Sequence, residues 1–162
     1  MRELTSTGPL RSAGLVAAAA LLAVEASRLF ARVPVDGADG ADGGHADGGL
    51  ARPPSPAVAR ARRLLDERCA QPWRIAELAR GSGLSAGHLS ELFPCEVGLP
   101  PYRYLLERRV ERAAELLAGS DLPITGVALE AGFGSGPHLA RAFRQATGCS
   151  PREFRRQHQD PA

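Results

Sequence analysis

Residues 124–155 read ITGVALEAGFGSGPHLARAFRQATGCSPREFR, and the order of helix formers, glycines and caps in this stretch decides the fold. Pro123 sets up a short helix over Ile124 to Ala131. Gly136-Pro137 opens a second helix, which carries Leu139, Ala142 and Phe143 on one face and closes at Gly148. Ser150-Pro151-Arg152-Glu153 then has capping-box spacing and starts a third. Gly132 lies between the first two, where a chain joining two helices packed nearly at right angles must visit positive φ, and Ala128 lets those helices approach closely. A short helix, a glycine-containing turn and a second helix with Leu and Phe inside is the helix-turn-helix pattern.

The same pattern occurs once upstream. Ile75, Ala79 and Gly83 recur 49 residues later as Ile124, Ala128 and Gly132. One residue is then inserted, and at an offset of 50 His88, Leu89, Phe93, Gly98 and Pro101 recur as His138, Leu139, Phe143, Gly148 and Pro151. Leu84 matches Phe133, and Tyr104 matches Phe154, in kind. One supersecondary unit therefore occurs twice. A helical bundle with internal duplication is the plainer reading of a single unit, and the duplicated turn chemistry weighs against it.

Outward from the repeats, Ser55-Pro56 caps a helix carrying Val58, Ala61, Leu65 and Cys69, with Cys69 expected in the core, until Gln71-Pro72 stops it. Ser85 caps the helix with Leu89, Leu92 and Phe93, which Pro94 is expected to shorten. Pro100-Pro101 opens a long helix with Leu105, Leu106, Val110, Ala113, Ala114 and Leu117, ending at Gly119. Its Arg103, Arg108, Arg109 and Arg112 interleave with Glu107, Glu111 and Glu115 and predict a solvated face paired at i,i+4 spacing. No segment alternates with period two, so no sheet is expected. The expected fold is all-α: a seven-helix domain over 55–158, made of two helix-turn-helix units joined by a long linker helix.

Ahead of it, residues 36–54 form a linker, of which 36–50 hold 6 Gly, 4 Asp and 3 Ala, a composition that buries nothing. Its Asp-Gly steps lack the alternate-position ligands and the twelfth-position Glu of a calcium loop. Residues 1–35 contain the apolar run AGLVAAAALLAV at 13–24, too short to span a bilayer and followed by a poor cleavage site, so an isolated apolar helix needing a partner is expected. The chain has 20 basic residues, all arginine, against 18 acids. Residues 1–50 hold 4 Arg and 6 acids, whereas 51–158 hold 16 Arg and 11 acids, a net +5. Basic charge on the globular part points to an anionic partner, nucleic acid before membrane. Three widely spaced cysteines, Cys69, Cys95 and Cys149, argue against a disulfide framework or structural zinc and for a reducing compartment.

Residues 55–157 resemble the DNA-binding domain of the AraC/XylS family of transcription regulators. The resemblance is carried by the A-x-x-x-G-F turn at 128–133, the inner Leu139 and Phe143 and the closing G-x-S-P-x-x-F-R at 148–155, with I75-A-E-L-A, G83-L-S-A-G-H-L-S-E-L-F and G98-L-P-P-Y-R-Y-L in the first half. It implies two successive major-groove contacts on one face of a duplex. A linker helix of about 16 residues, about 24 Å long, suits readers about one helical turn of DNA apart. Family members commonly carry a sensing domain ahead of this region; the segment at 13–33 looks like a remnant of its helices, and no small-molecule pocket is expected.

At the start of each second helix lie the side chains able to reach base edges: Ala86, Gly87, Ser90 and Glu91 in the first unit, and Gly136, Pro137, His138 and Arg141, with Ala140, in the second. Arg141 alone can make the bidentate contact to guanine, with a phosphate contact or a solvated arginine as the bland reading. Glu91 can accept from cytosine but repels phosphate, and Pro94-Cys95 replaces a pair usually basic in the family, so the first unit is expected to bind weakly. His88 and His138 fit helix packing as well as DNA contact. Ser85, Ser135, Arg144, Arg152, Arg155 and Arg156 are the candidate phosphate contacts.

The reading is a sequence-specific, double-stranded DNA-binding transcription regulator, bacterial and cytoplasmic, with RNA polymerase and a second copy of the chain, paired through the N-terminal helix, as candidate protein partners. The alternative is a truncated or degenerate member acting as a nonspecific DNA-binding or protein-interaction module. Catalysis by Cys95 or Cys149 lacks a base or metal partner in the sequence, so no enzyme activity, cofactor, metal or membrane is expected.

Overall fold

A computed structural model describes residues 54–159. The readings made on 1–35 and on most of the linker lie outside the described residues. Seven helices follow one another: α1 (Pro56–Glu67), α2 (Ile75–Ser82), α3 (Ala86–Val97), α4 (Pro101–Gly119), α5 (Ile124–Glu130), α6 (Gly136–Thr147) and α7 (Pro151–Gln159), with no strand among the described residues.

Caps form at Ser55 and Ser85, where the sequence puts them, and also at Ser135. Ser55, Ser85 and Ser135 each accept a hydrogen bond through Oγ from the backbone N–H three residues on, at 3.4, 3.2 and 3.4 Å. At α7 the box is reciprocal: Ser150 N donates to Glu153 Oε2 at 2.7 Å and Glu153 N to Ser150 Oγ at 3.3 Å. Hydrogen bonding to the Ser150 side chain and backbone N–H holds the Glu153 carboxyl below its ordinary range. Gly83 and Gly132 sit in the two turns at φ +79° and +84°, which an L side chain adopts only with strain.

Packing divides into two cores. Val58, Ala61 and Leu65 of α1 close over Leu78, Ala79, Leu89 and Phe93, and α4 contributes Tyr104 and Leu105. The second core takes Val110, Ala113, Ala114 and Leu117 from the same helix and packs them on Val127, Ala128, Ala131, Phe133, Leu139, Ala142, Phe143, Ala146 and Phe154. The repeat extends to its aromatic contacts. Phe93 meets Tyr104 edge-on at 5.7 Å, and the equivalent Phe143 meets Phe154 edge-on at 5.3 Å; such pairs add about 0.5–1.5 kcal/mol beyond their burial.

Four expectations are corrected here. Pro94 does not shorten its helix: α3 runs 12 residues through it, as long as α6. The carbonyl that loses its N–H partner belongs to Ser90, which faces solvent, so water can take its place. The linker helix has 19 residues rather than about 16, or about 28 Å, because Pro101 and Gly119 both belong to it. Its charged face is not uniformly solvated, since Glu107 and Arg109 are 3% and 8% exposed, and two of its ion pairs join Arg108 to Glu111 and Arg112 to Glu115 at i,i+3. Cys69 is half-buried at the edge of the first core rather than inside it, and burial raises its thiol pKa.

Candidate nucleic-acid interface

Two helices present matched ends. α3 buries Leu89 and Phe93, α6 buries Leu139, Ala142, Phe143 and Ala146, and the opposite side of each faces solvent. In α3, Gly87, Ser90 and Glu91 are exposed and Ala86 is half-covered; in α6, Pro137, His138 and Arg141 are exposed, with Gly136 and Ala140 half-covered. Six of the eight residues expected at base edges are thus exposed, and Ala86 and Gly136 are half-covered. The offset of 50 pairs Glu91 with Arg141 and Pro94 with Arg144. Glu91 and Arg141 therefore carry opposite charge at equal backbone positions, and Pro94 is uncharged where Arg144 is basic.

The outer side chains differ in what they have left to offer. Ser90 Oγ donates to Ala86 O at 2.9 Å, so its proton is used within the helix and only its lone pairs face outward. The cap hydroxyls Ser85 and Ser135 accept a bond from the helix through one lone pair. Pro137, in the first turn of α6, has no N–H to leave unpaired. His138 is exposed, yet its ring stands edge-on to Phe133 at 5.3 Å, so packing orients it beside Arg141.

Arg144, Arg152 and Arg156 are exposed on α6 and α7. Arg155 is not among them. It is half-buried and its Nη2 donates to the Leu122 carbonyl, fastening α7 to the segment before α5. That internal bond uses the Nη2 end of the guanidinium. Among the described residues no group of His, Cys, Asp and Glu is placed to hold a metal ion, and no helix is long and apolar enough to cross a membrane. Cys95 is exposed and Cys149 half-buried, its Sγ 3.6 Å from Thr147 Oγ1.

One residue that matters to this arrangement was misread in the sequence. Arg109 is buried on α4, and its Nε and Nη2 donate to the carbonyls of Cys69 and Gln71 at 2.8 and 2.7 Å. The signal was there: Leu105, Arg109, Ala113 and Leu117 form an i,i+4 ladder whose other members are all buried.

Two helix-turn-helix units sharing one linker helix define the class of protein. A helix-turn-helix domain family matches residues 78–157. The virulence regulon transcriptional activator VirF of Yersinia enterocolitica is 31% identical over 96 residues, which make up 59% of this chain and 35% of that protein. A solved transcriptional regulator of Chromobacterium violaceum, described as an AraC-type DNA-binding domain-containing protein, aligns with a TM-score of 0.61 at 33% identity over 66% of this chain and 96% of that one. The DNA-binding domain of AdpA, solved in complex with a target DNA, aligns with a TM-score of 0.62 at 28% identity over 65% of this chain and 95% of that one. The chain belongs to the AraC family of helix-turn-helix transcription regulators. It spans about a third of the length of the curated relatives it matches.

Proposed function

We propose that this chain is a sequence-specific, double-stranded DNA-binding transcription regulator that reads two successive major-groove segments with the first turns of α3 and α6. The observation that carries this reading is the matched pair of serine-capped helix ends, exposed outside and buried inside, on one linker helix. A helix in the major groove needs such an end. Arg141 supplies the base contact, and Ser85, Ser135, Arg144, Arg152 and Arg156 supply the phosphate contacts. The solved AdpA domain bound to its target DNA supports the same use of this fold. Action in the cytoplasm, contact with RNA polymerase and pairing of two copies through residues 13–33 belong to the same proposal, on the family resemblance and the apolar run. No catalytic role is assigned to the cysteines.

Selection of duplexes from a random library by the full chain, followed by salt titration, tests it. The expected result is one enriched motif whose affinity falls steeply with salt, with one segment relaxed in Arg141→Ala. Weak, salt-sensitive binding with no enriched motif would overturn it.

A further inference from the structure

The two cores divide α4 between Leu105 and Val110, and the residues buried in the gap are polar. The second unit grips the helix through four apolar side chains, Val110, Ala113, Ala114 and Leu117; the first has Tyr104 and Leu105. Tyr104 adds a hydrogen bond from its OH to Asp66 at 2.6 Å. What the first unit lacks in apolar grip, Arg109 makes up, because its two charge-assisted bonds seize the turn that leaves α1, at Cys69 and Gln71.

Ala70, between those two carbonyls, is also where the second unit arrives. A Cβ on Gly132 would stand 2.6 Å from Ala70 Cα and 2.7 Å from its carbonyl oxygen, so the two backbones already touch. At the equivalent turn glycine of the first unit, Gly83, a Cβ would meet only the end of Arg60 at 3.6 Å. The glycine of the second turn therefore serves a contact between units as well as its own φ. The turn at 68–71 is held from one side by Arg109 and from the other by Gly132.

Resting on the function proposed above, we infer that Arg109 is a positioning residue which, with Gly132, locks the 68–71 turn between the units and so fixes the separation and angle at which α3 and α6 meet a duplex. It touches no DNA. Tolerance to spacing between the two DNA segments is set at this inner joint, while base preference is set at Arg141. An added base pair moves one segment about 3.4 Å and about 34° around the duplex, a change that a locked joint penalises and a loosened one absorbs.

Two measurements on the full chain test this, with Arg109→Lys as the main variant, because an ammonium lacks the fork that spans both carbonyls but keeps the charge. In the first, affinity is compared for the selected duplex and for the same duplex with one base pair inserted between segments. Wild type should lose about tenfold or more and Arg109→Lys about threefold, with the Arg141-dependent preference intact in both. Equal penalties in a variant of native helicity would overturn the inference. In the second, no DNA is used. Spin labels at Cys95 and at Gln145→Cys, equivalent exposed positions on α3 and α6, report the distance between units in a Cys69→Ser, Cys149→Ser background. The distribution should broaden in Arg109→Lys and again in Gly132→Ala; identical distributions would overturn the inference. Should wild type enrich no duplex, the proposed function fails, and the label distances still decide whether the joint exists.

Discussion

Where α6 carries Arg141, α3 carries Glu91, and where α6 carries Arg144, α3 carries Pro94. Inside, the same two helices agree: Leu89 with Leu139, Phe93 with Phe143, and an edge-on aromatic pair beneath each. The difference teaches that one framework has been kept twice while its two outer surfaces have diverged in charge and in hydrogen-bonding capacity. The second unit presents the exposed arginines Arg141 and Arg144 on its helix. The first offers a carboxylate, a serine whose proton is already used, and small side chains.

The largest effect that can sharpen this comparison is at the turn glycines. Gly132→Ala should lose about 4 kcal/mol in urea unfolding, the sum of left-handed strain and overpacking against Ala70. Gly83→Ala should lose about 1–2 kcal/mol, from strain alone. Equal losses would break the distinction between the two turns.

Next come the helix interiors. Arg144→Pro should cost about 3 kcal/mol by removing a bond from an intact helix. Pro94→Ala should change stability by less than about 1 kcal/mol, because α3 already accommodates the ring and its orphaned carbonyl is solvated. A large gain from Pro94→Ala would show that α3 is strained after all.

At the surface, Arg141→Ala should lose about 1–3 kcal/mol of binding to the selected duplex and relax one segment. Glu91→Gln should keep or improve affinity, since a like charge near phosphate is removed. A greater loss from Glu91→Gln than from Arg141→Ala would invert the roles of the units.

A further effect is one of pH, on the helix the units share. Burial first, and then the neighbouring Glu107, Glu115 and Asp66, push the Glu111 carboxyl up from 4.5 to about 7, against the pull of Arg108. Between those values the folded chain binds more protons than the unfolded one, so stability falls as pH rises from about 4.5 to about 7 and is level above. Glu111→Gln should flatten that slope in thermal melts taken across the range. An unchanged slope would place the titration elsewhere.

Most of the fold was legible because its determinants are local. Caps at Ser55 and Ser85, the box at Ser150, and glycines at 83 and 132 act within a few residues of where they stand, and the repeat supports the readings in both units. The burial of Arg109 follows from the i,i+4 ladder it shares with Leu105, Ala113 and Leu117, but its partners were not legible because they lie 38 and 40 residues away in a turn without pattern of its own. Arg155 escaped for the same reason: nothing near it in sequence announces the Leu122 carbonyl. Pro94 was misjudged because the penalty for a helical proline depends on whether the freed carbonyl meets water, which is a property of the face and not of the residue. On the candidate surface, the sequence could say which residues face outward, since periodicity settles that. Which of them are already engaged, as Ser90 is, needed coordinates.

The division of each reading helix into a repeated inner face and a diverged outer one has a further consequence. Residues that hold the unit together and residues that choose its ligand occupy different sides of the same two or three turns, so exchanges at Glu91 or Arg141 leave Leu89, Phe93, Leu139 and Phe143 undisturbed. Surface exchanges away from caps and buried networks usually change stability by no more than about 0.5 kcal/mol. A scaffold of this kind can drift from one target sequence to another by single steps, each intermediate still folded, and a duplicated copy gives it one half on which to experiment while the other keeps hold.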